Sequence, residues 1–266
     1  LGLSLFSKYP IKIMTRLFYC CAFLLALTVS SFAQKKKTAT PTAKDAILVF
    51  SKTKGFRHAS IPKGKAALML LGEQNKFSVD TTEDASAFTA ENLKKYKAVV
   101  FLSTTGDVLD NSQQAAFEQY IRGGGGYVGI HAAADTEYDW PWYNQLVGAY
   151  FLSHPKQQNV DVVVHSKNHP STSMLPDRWK RFDELYNYKK IVLGIKVLAT
   201  LDESTYKGGA NGVNHPFVWY REFDGGRSFY TGGGHTDESY VEPLFVQHLL
   251  GGIEYAMGRK SVKKPM

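Results

Sequence analysis

Cysteine is nearly absent from this chain of 266 residues: the two present, Cys20 and Cys21, are adjacent near the start. Two thiols cannot build a disulfide framework or a four-thiolate zinc site. Long apolar runs are equally scarce. The one that stands out, Leu17 to Val29, is shorter than the roughly 20 residues that cross a bilayer. No heptad, Gly-X-Y period or repeat of about 20–50 residues is visible, which sets aside fibres and solenoids. The motifs G-x-S-x-G, H-E-x-x-H and C-x-x-C are missing, and no glycine run is followed by Lys-Ser or Lys-Thr. Serine hydrolases, zincins and nucleotide phosphatases are thereby disfavoured. Lys and Arg number 32 against 24 Asp and Glu, a net charge of +8, but the cations are spread among acids and form no stripe for nucleic acid. What is present, 44% hydrophobic and 21% charged residues, belongs to a folded globular chain.

The early apolar run has the anatomy of a cleaved export signal. Met14 is the expected initiator, Arg16 the positive start, Leu17 to Val29 the apolar stretch, and Ser31 and Ala33 the small residues before a cut at Gln34. Cleavage removes both cysteines together with Lys8, Lys12 and Arg16, lowering the net charge from +8 to +5. A thiol-free mature chain suits an oxidising compartment, periplasmic or extracellular, without stable membrane insertion, and ends any cysteine-nucleophile mechanism. Residues 34–45, with Lys35 to Lys37 and TATPTAK, read as a flexible linker, residues 46–258 as one domain and residues 259–266 as a basic tail.

Within the domain, short apolar strands alternate with helical segments. AILVFS (46–51), FSVDTT (77–82), KAVVFLS (97–103) and YVGIHAAA (127–134) read as strands. Pro62 opens a helix rich in Leu and Met, Thr89 caps a short one, and Ser112 caps QQAAFEQYIR. Strands spaced by helices predict right-handed crossovers, hence a flavodoxin-like, doubly wound, mostly parallel α/β sheet with helices on both faces. NVDVVVHS (159–166) and IKVLATLD (195–202) are strand-like. HPFVWYREF and GRSFYTGG, joined at Asp224-Gly225-Gly226, predict a C-terminal β-hairpin inserted into this fold, and a helix from about Val241 to Met257 closes it.

Glycines 123–126 follow a helix and open a strand, the reverse of a phosphate cradle. Gly232-Gly233-Gly234-His235 follows a strand but lacks the spaced glycines of a dinucleotide site. The histidines are more informative. In a parallel sheet, ligands bind outside the carboxyl ends of the strands, so His58 after the first strand and His131 after the fourth share an edge. His131 stands between Gly129-Ile130 and a run of alanines whose small side chains leave room for a ligand. His154, His169 and His215 each precede proline, which fits either a backbone-bonding turn or a ligand. His235 follows the hairpin. His248, in an apolar helix, reads as core.

The segments KTKGFRHASI, GGGYVGIHAAADT, WYNQLVGAYFLSHP, RFDELY, HPFVWYREFDGGRSFYTGGGHT and FVQHLLGGIEYA resemble the ThuA-like family of trehalose-utilisation proteins. The likeness covers residues 46–258 and implies the class I glutamine amidotransferase-like fold. Where those amidotransferases carry a cysteine at a strained elbow, this chain has Gly129-Ile130-His131-Ala132-Ala133. An imidazole cannot form the thioester, so amidotransferase activity is excluded. The resemblance implies carbohydrate catabolism through 3-keto-glycosides, beside a sugar oxidoreductase that makes the ketone, with isomerisation or glycosidic cleavage as the step. On that basis His131 and His235 are expected as base and acid, with Asp183 or Glu184 assisting. His58, Asp135, Tyr138, Trp142, His154, His215 and Trp219 are expected around the sugar, the aromatics stacking on its faces. Two alternatives stand beside this. One is a metal-dependent sugar hydrolase with His58, His131, His154 and His235, joined by Asp135 or Glu184, around zinc or a related divalent ion. The other is a non-catalytic carbohydrate-binding protein.

Overall fold

A computed structural model describes residues 45–263; the segments expected from the sequence as an export signal and a linker, up to residue 44, lie outside the described residues. Eleven strands and five α-helices are described: β1 (Ala46–Phe50), α1 (Ile61–Gln74), β2 (Ser78–Thr82), α2 (Ala90–Leu93), β3 (Ala98–Leu102), α3 (Asn111–Arg122), β4 (Gly126–Ile130), α4 (Pro141–Val147), β5 (Tyr150–Ser153), β6 (Gln158–Val164), β7 (Arg178–Asp183), β8 (Asn187–Lys189), β9 (Lys196–Leu201), β10 (Pro216–Phe223), β11 (Gly226–Thr231) and α5 (Pro243–Ala256).

Nine strands form one sheet in the order β2-β1-β3-β4-β11-β10-β9-β6-β7, while β5 and β8 pair separately. The first five are parallel, and from β11 onward each neighbour is antiparallel. The parallel part thus has the 2-1-3-4 order of flavodoxin-like folds, with β11 in fifth place. β10 and β11 pair antiparallel across Asp224 and Gly225. They are not an appendage, because β11 sits between β4 and β10 and joins the two halves of the sheet.

β1 and β3 are almost wholly apolar because both their faces are covered. On one face lie α1 and α5, with Leu68, Leu71, Phe245, Leu249 and Ile253 against Ile47, Val49 and Val100. On the other lie α2, α3 and α4, where Phe117, Ile121, Tyr143 and Leu146 meet Phe50, Phe101 and Tyr127. Each such side chain contributes about 1.5–3 kcal/mol by leaving water. α3 is capped by Asp110 rather than Ser112. The Asp110 carboxylate accepts from the Ser112 and Gln113 amides, and the Gln113 side chain returns to the Asp110 amide, which moves the start back two residues. Gly124, at φ +93°, turns the chain from α3 into β4.

Strand direction places the site. β1, β4 and β11 run the same way, and two reversals past β11 bring β9 back to that direction; two more do the same for β7. The carboxyl ends of β1, β4, β7 and β11 therefore share one edge. Four strands separate β4 from β7. At about 4.8 Å per strand, a flat sheet would hold their ends over 20 Å apart. Side chains following the two strands nevertheless meet, so the sheet coils strongly on itself.

Candidate active site

Four loops at this edge each deliver one donor: His58 beyond β1, His131 directly after β4, Glu184 directly after β7, and His235 beyond β11. Their donor atoms lie within 4.8 Å of one another. His131 Nε2 is 3.2 Å from His235 Nδ1 and 3.4 Å from Glu184 Oε2, and His235 Nδ1 is 3.0 Å from the same oxygen. The His58 ring stands edge-on to both, 4.8 Å from the His131 centroid and 5.0 Å from that of His235.

His131 occupies a left-handed backbone conformation, φ +51°, at the turn out of β4. For a non-glycine residue this costs of order 1–3 kcal/mol and persists only where the surroundings hold it. Here Tyr230 donates from its hydroxyl to the His131 carbonyl at 2.7 Å, and the Tyr186 ring packs 4.3 Å from the imidazole. The ring is fully buried, with Nδ1 2.9 Å from the Gly232 carbonyl. A carbonyl only accepts, so Nδ1 carries the proton, and in the neutral ring Nε2 turns its lone pair to the cluster.

Glu184 and His235 are set by one residue. Asp183, fully buried at the end of β7, accepts from the amides of Glu184 and His235 on Oδ1 and from the Gly234 amide on Oδ2. Arg181 donates to Oδ2 at 2.9 Å and also pairs with Glu242. Burial pushes the Asp183 carboxyl up, but Arg181, His131 and the Gly234 amide outweigh it and hold the group below its ordinary range. Gly234, at φ +110° and so close that a Cβ would meet the Tyr240 hydroxyl at 2.8 Å, lets the loop reach this carboxylate. Burial likewise opposes the charge on Glu184, yet the close approach of His131 and His235 keeps it well below the usual carboxylate range. Burial pushes the His58 imidazole down to about 3, and His131 and His235 push the same way. The cluster therefore combines an ionised carboxylate with a His58 held neutral.

On the open side, His154 places Nδ1 3.1 Å from Glu184 Oε1 and 3.0 Å from the Pro155 carbonyl. Both partners are acceptors, so Nδ1 carries the proton and the neutral ring leaves its lone pair on Nε2. Asp135 and Tyr138 flank the same region. The Tyr138 hydroxyl donates to Asp135 Oδ1 at 2.5 Å, and Lys189 lies 4.6 Å over the tyrosine ring. Burial raises the Asp135 carboxyl, against the pull of Tyr138 and His131.

Three expected residues do not face this cluster. Trp219 is fully buried, stacked on Tyr230 and donating to the Val147 carbonyl, because β10 is interior to the sheet. Trp142 lies at the opposite edge, donating to Asp224 at the β10–β11 turn and packed on Trp140 and Phe223. His215 is fully buried. Its Nε2 bonds the Tyr186 carbonyl and its Nδ1 meets Glu203 and Tyr206, so it holds the backbone of the tyrosine that packs on His131 rather than any ligand. Tyr186 is the contact that the sequence reading passed over; its signal was its place in RFDELY.

His169 and His248 are core residues, and they make the fold acid-labile. Burial lowers His169 to about 3, with His248 adding to the effect, and lowers His248 to about 4. Below their ordinary value of 6.5, the unfolded chain takes up protons that the folded chain refuses. Stability is thus full above pH 6.5 and falls as pH drops toward 4, by about 1.4 kcal/mol per pH unit per histidine. Denaturant titrations at pH 7, 6 and 5 should show this slope. A flat profile would contradict it.

A profile of the ThuA family, described as trehalose utilisation, matches residues 46–256. The chain is similar to a ThuA-like protein of Bacteroides uniformis, with 25% identity and a TM-score of 0.69 over 83% of this chain and 94% of the other. A ThuA-like protein of Parabacteroides merdae shares 22% identity and a TM-score of 0.68 over 84% and 93% of the two chains. The β-galactosidase of Bacillus circulans sp. alkalophilus, at 14% identity and a TM-score of 0.52, covers 83% of this chain but 32% of its own, a likeness of fold alone. No curated protein sequence matches significantly. With a profile match running from the start of β1 to the end of α5, over a fold shared with ThuA-like proteins, the chain belongs to the ThuA family of trehalose-utilisation proteins.

Proposed function

We propose that this protein is an exported enzyme of carbohydrate catabolism that acts on a keto-glycoside by removing the proton next to its carbonyl. The observation that carries the reading is the meeting of Glu184 with His131, His235 and His154 at the carboxyl edge of the sheet. Family membership supports the sugar, and the apolar segment with its small-residue cleavage site supports export to the periplasm or beyond.

A ketone at C3 of a glycoside acidifies the hydrogen at C2. In the proposed step His154 Nε2, oriented through Nδ1 by Glu184, takes that proton, and the electron pair of the broken C–H bond moves into the C2–C3 bond as charge builds on the C3 oxygen. His131 and His235 face that oxygen, while Asp135 and Tyr138 flank the sugar. Collapse of the enediolate either expels the C1 substituent, whose oxygen takes up a proton, leaving an enone, or, once the proton on the C2 oxygen has passed to the C3 oxygen, takes up a proton at C3 to give the isomeric 2-ketone. Such acid–base help is worth about 10²–10⁴ in rate. A sugar oxidoreductase must supply the ketone.

The binding-platform alternative loses ground because Trp142 and Trp219 point away from the cluster. Incubating the full chain with 3-keto-trehalose, 3-keto-glucosides and the unoxidised parents, followed by mass spectrometry, separates the readings. We expect the keto sugars to be consumed and the parents left intact. Binding of the parents with no turnover of any keto sugar would instead establish a carbohydrate-binding protein.

A further inference from the structure

We propose that His58, His131, His235 and Glu184 together bind one divalent first-row transition-metal ion. The proposal rests on the reading of this same cluster as the catalytic centre and names what supplies its positive charge.

Three observations carry it. The first is spacing. Metal–nitrogen and metal–oxygen bonds of about 2.0–2.1 Å put two ligands of a tetrahedral ion about 3.4 Å apart. The measured separations among His131 Nε2, His235 Nδ1 and Glu184 Oε2 are 3.2, 3.4 and 3.0 Å. The second is lone-pair direction. With its Nδ1 proton given to the Gly232 carbonyl, a neutral His131 turns an Nε2 lone pair on the Glu184 carboxylate at 3.4 Å. Two acceptors so placed need a proton or a cation between them. The third is an orphan. His58 is 3% exposed, its Nδ1 is buried without any hydrogen-bond partner, and the residue contributes a donor to the same group.

The supporting shell has the form that metal sites use. His131 is fixed by a backbone carbonyl through its other nitrogen, Glu184 by His154 through its other oxygen, and the Glu184 and His235 backbones by Asp183. Three imidazoles and one carboxylate select zinc or a neighbouring transition metal over magnesium or calcium, which take oxygen. His154, expected as a ligand from the sequence, instead touches the far oxygen of Glu184. Such an ion supplies Lewis-acid stabilisation of a developing oxyanion.

The test uses the full chain, stripped with a chelator, dialysed and titrated with Zn²⁺ and, for its visible spectrum, Co²⁺. One equivalent should bind, with a Co²⁺ absorption band typical of a low-coordinate nitrogen and oxygen site and a raised melting temperature. Glu184→Gln and His58→Ala should each weaken binding by at least about 100-fold. His165→Ala, which removes an exposed histidine bonded to Thr200, should leave it unchanged. Should Glu184→Gln fail to fold, the wild-type spectrum and His58→Ala decide. No stoichiometric binding of either ion, or binding unaltered by both site variants, would overturn the proposal. So would undiminished keto-sugar turnover by the stripped protein, a result that leaves the proposed function standing. Tight binding without turnover of any keto sugar keeps the metal site and removes the function.

Discussion

Replacing His131 with asparagine is expected to reduce keto-glycoside turnover by about 10³-fold while leaving the fold in place. Asparagine accepts the left-handed backbone that His131 adopts at φ +51° better than most residues, so the turn out of β4 is kept. Its shorter side chain cannot bond the Gly232 carbonyl through one nitrogen and present a lone pair toward Glu184 and His235 with another. The check is a pair of measurements on one preparation: the turnover rate, and a melting temperature within a few degrees of wild type. Turnover within tenfold of wild type would take His131 out of the chemistry.

Asp183→Asn should show the opposite pattern, a large loss of stability. Five donors converge on that carboxylate: the amides of Glu184, Gly234 and His235, the Arg181 guanidinium and the Ser239 hydroxyl. Asparagine keeps one acceptor oxygen and turns an NH₂ on the others, at a side chain that is fully buried. Breaking one side of a buried ion pair costs about 3–5 kcal/mol. In a domain of this size that is a fall of roughly 6–20 °C in melting temperature. Arg181 keeps its contact with Glu242, which places the loss toward the lower end. A melting temperature within about 2 °C of wild type would show that the Asp183 network contributes little.

Much of the parallel half was legible because its strands are buried on both faces and read as unbroken apolar runs, AILVF and AVVFL being the clearest. The hairpin was legible from Asp224-Gly225, although not its place in the middle of the sheet, since pairing partners far along the chain leave no local trace. β7, RWKRFD, went unread because its buried positions are held by Trp179, Arg181 and Asp183, two of them charged. That strand is what carries Glu184 to His131, and the coiling that brings it there is a property of the whole sheet. His58 and His131 could be placed at one edge by topology, and His235 joins them because β11 runs parallel to β4. His215 could be read either as a backbone-bonding turn residue or as a ligand, and the contacts that decide it, with Glu203 and Tyr206 earlier in the same β9–β10 connection and with the Tyr186 carbonyl, leave no local pattern. Trp142 and Trp219 were misread because an aromatic suited to a sugar face is equally suited to a core.

The central claim is that this cluster removes a proton beside a carbonyl, and one measurement reaches it directly. The full chain is incubated with 3-keto-trehalose in deuterated buffer, and the recovered sugar and products are read by proton NMR. The account predicts deuterium at C2, entering faster than in buffer alone and lost in His131→Asn. Recovery of the sugar with its C2 hydrogen intact, while the protein demonstrably binds or transforms it, would contradict the account.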